Sequence, residues 1–388
     1  MPRRHQPAGT GRDAAKRRLQ AISTAIVRKG DSAQVGQLSR RSVGCSGLKL
    51  PVVDLHSTDA GAQLADACTR VGFQLVVNHG VEADAHAAAV ASEDFIRNAS
   101  ASDIESLRAP TMGYRPGFQH PGHLSSEIYC TEHGEYRVGR REDFVVVHPE
   151  AAKRKAEGDP YYNATAAACW YADCANRFPP DGVWRAALEL YYFRMEALSQ
   201  RLLRLCGEIL AGDPSCFSHV ARRHTTNLVV AFHEAKQDTT VSTSVAAHSD
   251  SALFTLIKYG SFGVEGLQLQ DQDTGSWYSV SNSDLPPGAL VLNIGDAMRH
   301  LSRRVFLSTP HRVVDARTTS DAHRDTRRLA LCYFFAPAYD VPLAPVGDKL
   351  DASETDAPSQ LGALWTHNYR VAPTEEREHF DQWRSAFR

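Results

Sequence analysis

The residues in this chain best spaced for shared chemistry are His248 and Asp250, in the run His248-Ser249-Asp250. In a β-strand, positions i and i+2 point to one face, so an imidazole and a carboxylate so spaced can grip a single ion. Two donors are too few. A third, His311, opens the strand-like run His311-Arg312-Val313-Val314, far enough downstream for several strands to intervene. Two neutral imidazoles and one carboxylate leave three adjacent coordination positions open, which is the ligand set of non-haem iron(II) centres that handle oxygen. The residual positive charge suits an anionic chelating substrate, and the open positions admit O2 beside it. A closed structural site could do neither.

Each ligand has a plainer reading. Among 17 histidines, a His-x-Asp triplet arises often as a surface or hydrogen-bonding feature. The strands around this one and an arginine downstream single it out. His79 in Val77-Asn78-His79-Gly80 and His300 in Met298-Arg299-His300 read as structural or supporting residues.

The elements that must position the triad follow from periodicity. After Asn227 short apolar runs alternate with turn signals, which predicts a β core. Asp273-Thr274-Gly275-Ser276 separates Gly266-Leu267-Gln268-Leu269-Gln270 from Trp277-Tyr278-Ser279-Val280 as a hairpin. Leu285-Pro286-Pro287-Gly288 turns the chain into Ala289-Leu290-Val291-Leu292-Asn293, and two further strands cover 308–314 and 328–335. Upstream, Leu50-Pro51-Val52-Val53-Asp54-Leu55 reads as a buried strand, 64–70 as a helix stopped by Gly72, and Phe73-Gln74-Leu75-Val76-Val77 as a second strand. From about 183 to 210, Leu188, Tyr191, Tyr192, Met195, Leu198, Leu202, Leu205 and Leu210 recur at helical spacing and are core. Phe380, Trp383 and Phe387 share one face of an expected closing helix.

These segments, taken in order, resemble the iron(II)/2-oxoglutarate-dependent oxygenases of the isopenicillin N synthase-like group. The resemblance spans about residues 50 to 340. It runs through Gly72-Phe73 and Val77-Asn78-His79-Gly80-Val81, then His248-Ser249-Asp250-Ser251, Gly266-Leu267-Gln268, Asn293-Ile294-Gly295-Asp296, Thr309-Pro310-His311-Arg312-Val313 and Arg328-Leu329-Ala330. It implies a mainly β fold with flanking helices, built on a distorted double-stranded β-helix or jelly-roll core with iron in its mouth. It also implies Fe(II), 2-oxoglutarate and O2 as cofactors, with His248, Asp250 and His311 on the metal. Arg328 would hold the distal carboxylate of 2-oxoglutarate, a task suited to a bidentate guanidinium. Arg327 lies beside it.

Two positions depart from that pattern. The family usually has Arg-x-Ser, whereas the third residue here is Ala330. A tyrosine expected on the first core strand is replaced in Leu228-Val229-Val230-Ala231-Phe232-His233, where His233 stands in its place. Loss of one hydrogen bond to a charged group costs about 1.5 to 3 kcal/mol, so the co-substrate is weakened or re-held rather than lost. An oxidase or cyclase of the same fold that dispenses with 2-oxoglutarate is therefore an open alternative, and a non-catalytic jelly roll a remoter one. The retained Asp250 argues against halogenation, which needs that coordination position for halide. The expected outcome is hydroxylation, desaturation or oxidative ring closure at an unactivated C–H bond. The substrate is expected to be a small carboxylated metabolite of specialised metabolism, met by Tyr114, Arg115, Arg299 and Phe335.

Composition sets the remaining bounds. Hydrophobic residues make up 43% and charged residues 23%, ordinary for a globular chain. Ten of the 43 basic residues but two of the 45 acidic ones fall in the first 41 positions, leaving the rest near −10. Such a body gives no support to nucleic-acid binding. Eight cysteines without CxxC spacing read as reduced thiols of a cytosolic type of compartment. No apolar run approaches the roughly 20 residues that cross a bilayer. The expected organisation is a basic disordered tail or organelle-targeting segment at 1–46, an N-terminal α/β region at 47–215, the jelly-roll core at 216–345 and an extension with the terminal helix at 346–388. A monomer acting on a small molecule, with no nucleic-acid or membrane partner, is expected.

Overall fold

The computed structural model describes residues 48–110, 115–119, 128–130, 136–138, 141–164, 174–233, 243–260, 266–271, 274–280, 285–314, 328–341, 343 and 345–346. Tyr114, the basic N-terminal segment and the expected closing helix lie outside them.

Chain order begins with β1 (Val52–Asp54), α1 (Ala60–Arg70) and β2 (Phe73–Val77), with β1 and β2 parallel. Two helices follow, α2 (Glu82–Asn98) and α3 (Ala101–Ser106), the second started by a reciprocal cap between Ser100 and Asp103. Strands β3 (Gly117–Phe118), β4 (Ile128–Cys130), β5 (Tyr136–Val138) and β6 (Arg141–Val146) precede short helices α4 (Ala151–Ala156) and α5 (Pro160–Asn163). Helix α6 (Val183–Ala211) matches the apolar repeat read from the sequence, and left-handed glycines Gly182 and Gly212 bound it. The core strands are β7 (Asn227–His233), β8 (Thr243–His248), β9 (Phe254–Tyr259), β10 (Leu267–Gln270), β11 (Trp277–Ser279), β12 (Leu290–Ile294), β13 (His311–Val314) and β14 (Arg328–Phe335). Helix α7 (Asp296–Leu301) follows β12.

Two sheets carry the core. One has eight strands in the order β1-β2-β12-β9-β14-β7-β6-β3, the other four in the order β11-β10-β13-β8. Their inner faces enclose a cavity lined from both, as expected of a jelly roll. Strands from the N-terminal region extend the large sheet at both edges, so its hydrogen bonding runs unbroken into the core.

Helix α6 covers the outer face of the large sheet. Tyr192 meets the Tyr333 ring of β14 at 5.2 Å and donates its hydroxyl to the Thr226 carbonyl at 3.0 Å. Trp184 stacks on Phe95 of α2 at 4.0 Å, and its indole N–H donates to Ser92 Oγ. Each large side chain so buried contributes about 1.5 to 3 kcal/mol, enough to clamp the sheet that carries the site. His79 and His300 are structural, as read. The His79 ring bridges the Val81 N–H and the Gly288 carbonyl, and His300 Nε2 lies 2.9 Å from the Leu343 carbonyl.

Candidate metal centre and cavity

Strands β8 and β13 are antiparallel, and His248 and His311 face each other directly across the pair. Their rings lie 4.3 Å apart. Asp250 sits two residues past the end of β8 rather than inside the strand, so its placement depends on the turn that follows. Its Oδ1 lies 3.6 Å from His248 Nε2 and 3.9 Å from His311 Nε2, and one donor atom from each residue falls within 4.8 Å of the others. Metal–nitrogen bonds of about 2.1 Å fit one ion among them.

The turn is held tightly. The Asp250 carbonyl accepts from the Asp296 N–H at 2.7 Å, and the Gly295 N–H donates to the Leu253 carbonyl at 3.0 Å. A Cβ at Gly295 would lie 2.1 Å from the Ala252 carbonyl oxygen, so only glycine lets the segment after β12 close onto the turn. The second carboxylate oxygen of Asp250 accepts from Thr255 Oγ1 of β9 and, at 2.7 Å, from Asn293 Nδ2 of β12. That leaves Oδ1 for the ion. Burial alone would raise the Asp250 pKa, but the imidazoles of His311 and His248 and these hydrogen bonds outweigh it and hold the carboxyl below its ordinary value. His311 Nδ1 lies 3.2 Å from the Thr309 carbonyl, which favours the tautomer that leaves the Nε2 lone pair available to an ion. The edge of Phe73 packs on the ring at 5.1 Å.

At the other end of the cavity stands Arg328, the first residue of β14. Its Nη1 lies 3.4 Å from the Val314 carbonyl. Gly266, at φ +85°, makes room for this head group. A Cβ there would lie 2.6 Å from Arg328 Nη1 and 2.2 Å from the Val314 oxygen. Between the two ends the walls are largely apolar, with Val245, Ile257, Leu267, Val313 and Ala330 among them, around a cavity of ≈ 80 Å³. Three ligand atoms with open positions, an oriented carboxylate and a cation cradled at the far end fit an iron(II) ion and a dicarboxylate together.

The profile of the 2OG-Fe(II) oxygenase superfamily matches residues 224–337, the stretch that holds both ends of the cavity. Gibberellin 20 oxidase 2 of Arabidopsis thaliana is 24% identical over 356 residues, 88% of this chain and 84% of that protein. The chain is an iron(II)/2-oxoglutarate-dependent dioxygenase. Flavanone 3-dioxygenase 2 of Oryza sativa subsp. japonica is 25% identical to this dioxygenase, covering 85% of it and 87% of the relative. In fold, the dioxygenase is similar to the dioxygenase for auxin oxidation 1 of Arabidopsis thaliana, solved as a complex with 2-oxoglutarate. The TM-score is 0.55, with 18% identity over 78% of this chain and 98% of that one.

Of the residues expected at the site, the dioxygenase brings His248, Asp250, His311, Arg328 and Ala330 into one cavity. His233 pairs with Arg328 in the backbone register of β7 and β14, at the same end; its side chain lies outside the described residues. Phe335 does not line the cavity. Successive strand residues face opposite ways, and Phe335 is buried on the outer side against Phe254 at 5.1 Å and His224 at 5.3 Å, while Phe334 lines the cavity. Arg299 on α7 and Arg115 before β3 are also absent from the lining. Sequence reasoning assigned no role to Thr255, Tyr259, Gly266 or Asn293. The last two lie in motifs it singled out, but their tasks become visible only once the strands are paired.

Proposed function

We propose that this dioxygenase oxidises an unactivated C–H bond of a small metabolite, with His248, Asp250 and His311 holding iron and Arg328 receiving the distal carboxylate of 2-oxoglutarate. The observation that carries the reading is a single cavity with the triad at one end and a glycine-cradled arginine at the other. Bound iron(II), with 2-oxoglutarate and O2, would supply the oxidant and release succinate and carbon dioxide. The protein's share is positional. Thr255 and Asn293 keep one carboxylate oxygen of Asp250 occupied so that the other faces the ion. Val245, Ile257, Leu267 and Val313 keep water from the space between metal and arginine.

The names of the relatives, gibberellin oxidases and a flavanone dioxygenase, support a small organic substrate of specialised metabolism. A substrate carboxylate finds less support. Arg115 and Arg299 do not line the cavity, and Arg328 is engaged by the co-substrate in this reading. The substrate's pose relative to the iron decides between hydroxylation, desaturation and ring closure.

The test is succinate release by iron-loaded enzyme with 2-oxoglutarate and O2, across a panel of small terpenoid, phenolic and amino-acid substrates. Substrate-stimulated succinate that disappears in His248→Ala is the expected result. Substrate oxidation without any 2-oxoglutarate would instead establish the oxidase or cyclase alternative.

A further inference from the structure

Strands β14 and β9 are antiparallel, and Ala330 stands directly opposite Tyr259. Directly opposed residues of an antiparallel pair share a face, and so do residues two apart on one strand. Tyr259, Ala330 and Arg328 therefore project to the same side, and all three line the cavity. Tyr259 is also near enough to Arg328 for the guanidinium charge to act on its phenol.

The polar inventory of this wall is short. Among the described lining residues, His248, Asp250 and His311 converge on the ion, and Thr255 gives its hydroxyl to Asp250. Arg328, part of whose fork already meets the Val314 carbonyl, Tyr259 and the weakly donating thiol of Cys332 are the other donors on this wall, and of these the phenol is the neutral hydroxyl on the face of Arg328 and Ala330. A carboxylate offers about four lone-pair sites, and an arginine fork fills two of them. An oxygen left facing the methyl of Ala330 and the side chains of Val313 and Leu267 would be desolvated without a partner. Burial raises the phenol's pKa, so Tyr259 stays protonated and able to donate.

We propose that Tyr259 donates its hydroxyl to the distal carboxylate of 2-oxoglutarate, supplying from β9 the hydroxyl that Ala330 cannot supply from β14. It is a co-substrate-binding residue and selects an oxo acid with a second carboxylate over one without. The inference rests on Arg328 receiving that carboxylate.

The test is calorimetric binding to iron(II)-loaded enzyme without oxygen, using 2-oxoglutarate and 2-oxopentanoate, which lacks the distal carboxylate. Tyr259→Phe should weaken 2-oxoglutarate roughly tenfold or more, the range for one hydrogen bond to a charged group. It should leave 2-oxopentanoate binding, iron content and the thermal transition unchanged. Adding Ala330→Ser to Tyr259→Phe should recover most of the loss by placing a hydroxyl on the opposing strand. Equal weakening of both oxo acids would mark Tyr259 as packing and overturn the inference. So would unchanged 2-oxoglutarate binding in Tyr259→Phe alongside weakened binding in Arg328→Gln, with the arginine reading intact. If neither variant alters 2-oxoglutarate binding, the reading of Arg328 falls as well.

Discussion

The two ends of the cavity are built to different tolerances. At the metal end, Asp250 is fixed by Thr255 of β9, Asn293 of β12 and the first N–H of α7, while His311 is oriented by the carbonyl of Thr309. At the arginine end, the family's serine position holds Ala330, and the residue directly opposite it across the strand pair is Tyr259. Coordination bonds allow only a few tenths of an ångström, so ligand and support cannot be exchanged freely. A carboxylate on a guanidinium accepts donors from a broader range of directions, so a hydroxyl can move from one strand to its neighbour. The difference explains why the triad could be read from residue types while the arginine end departs from pattern.

Breaking the strict end should have the largest effect. Asp250→Ala removes the oriented carboxylate and should leave protein without bound iron after gel filtration, with succinate release below detection. Breaking the tolerant end comes next. Arg328→Gln should raise the 2-oxoglutarate requirement by about a hundredfold, in line with truncating a buried charge partner, while iron content stays at the parent level. An equal loss of iron in that variant would mean that the two ends are not separable. The smallest effect sharpens the contrast. Asn293→Ala removes one support of Asp250 and should lower iron affinity about tenfold, the lower range for outer-shell changes, without altering the selectivity for 2-oxoglutarate over 2-oxopentanoate. Metal titration followed by oxo-acid binding on the same samples checks both statements.

The extent to which the molecule was legible differs by element. Helix α6 was legible because an apolar repeat of helical period has one face to bury. The hairpin between β10 and β11 was legible because Gly275 and its neighbours demand a turn. The convergence of His248, Asp250 and His311 was legible because these residue types are common metal ligands and their flanking runs read as strands. Phe335 was not, because a strand's alternation is fixed along the chain while the choice of inward face is made by packing. The outer face went to α6, whose Tyr192 meets Tyr333, and this sent Phe334 inward.

What this sequence determined by itself was the long helix, the strands and hairpin flanked by turn signals, and a set of ligand types suited to a metal: periodicity, turn residues and ligand types are local properties of the chain. Tertiary structure decided register and adjacency. It set Tyr259 against Ala330, brought Asn293 to Asp250 and placed Gly266 under Arg328. A one-residue slip in any of these pairings would turn the same side chains to the opposite face, and only burial of the whole sheet selects between the two.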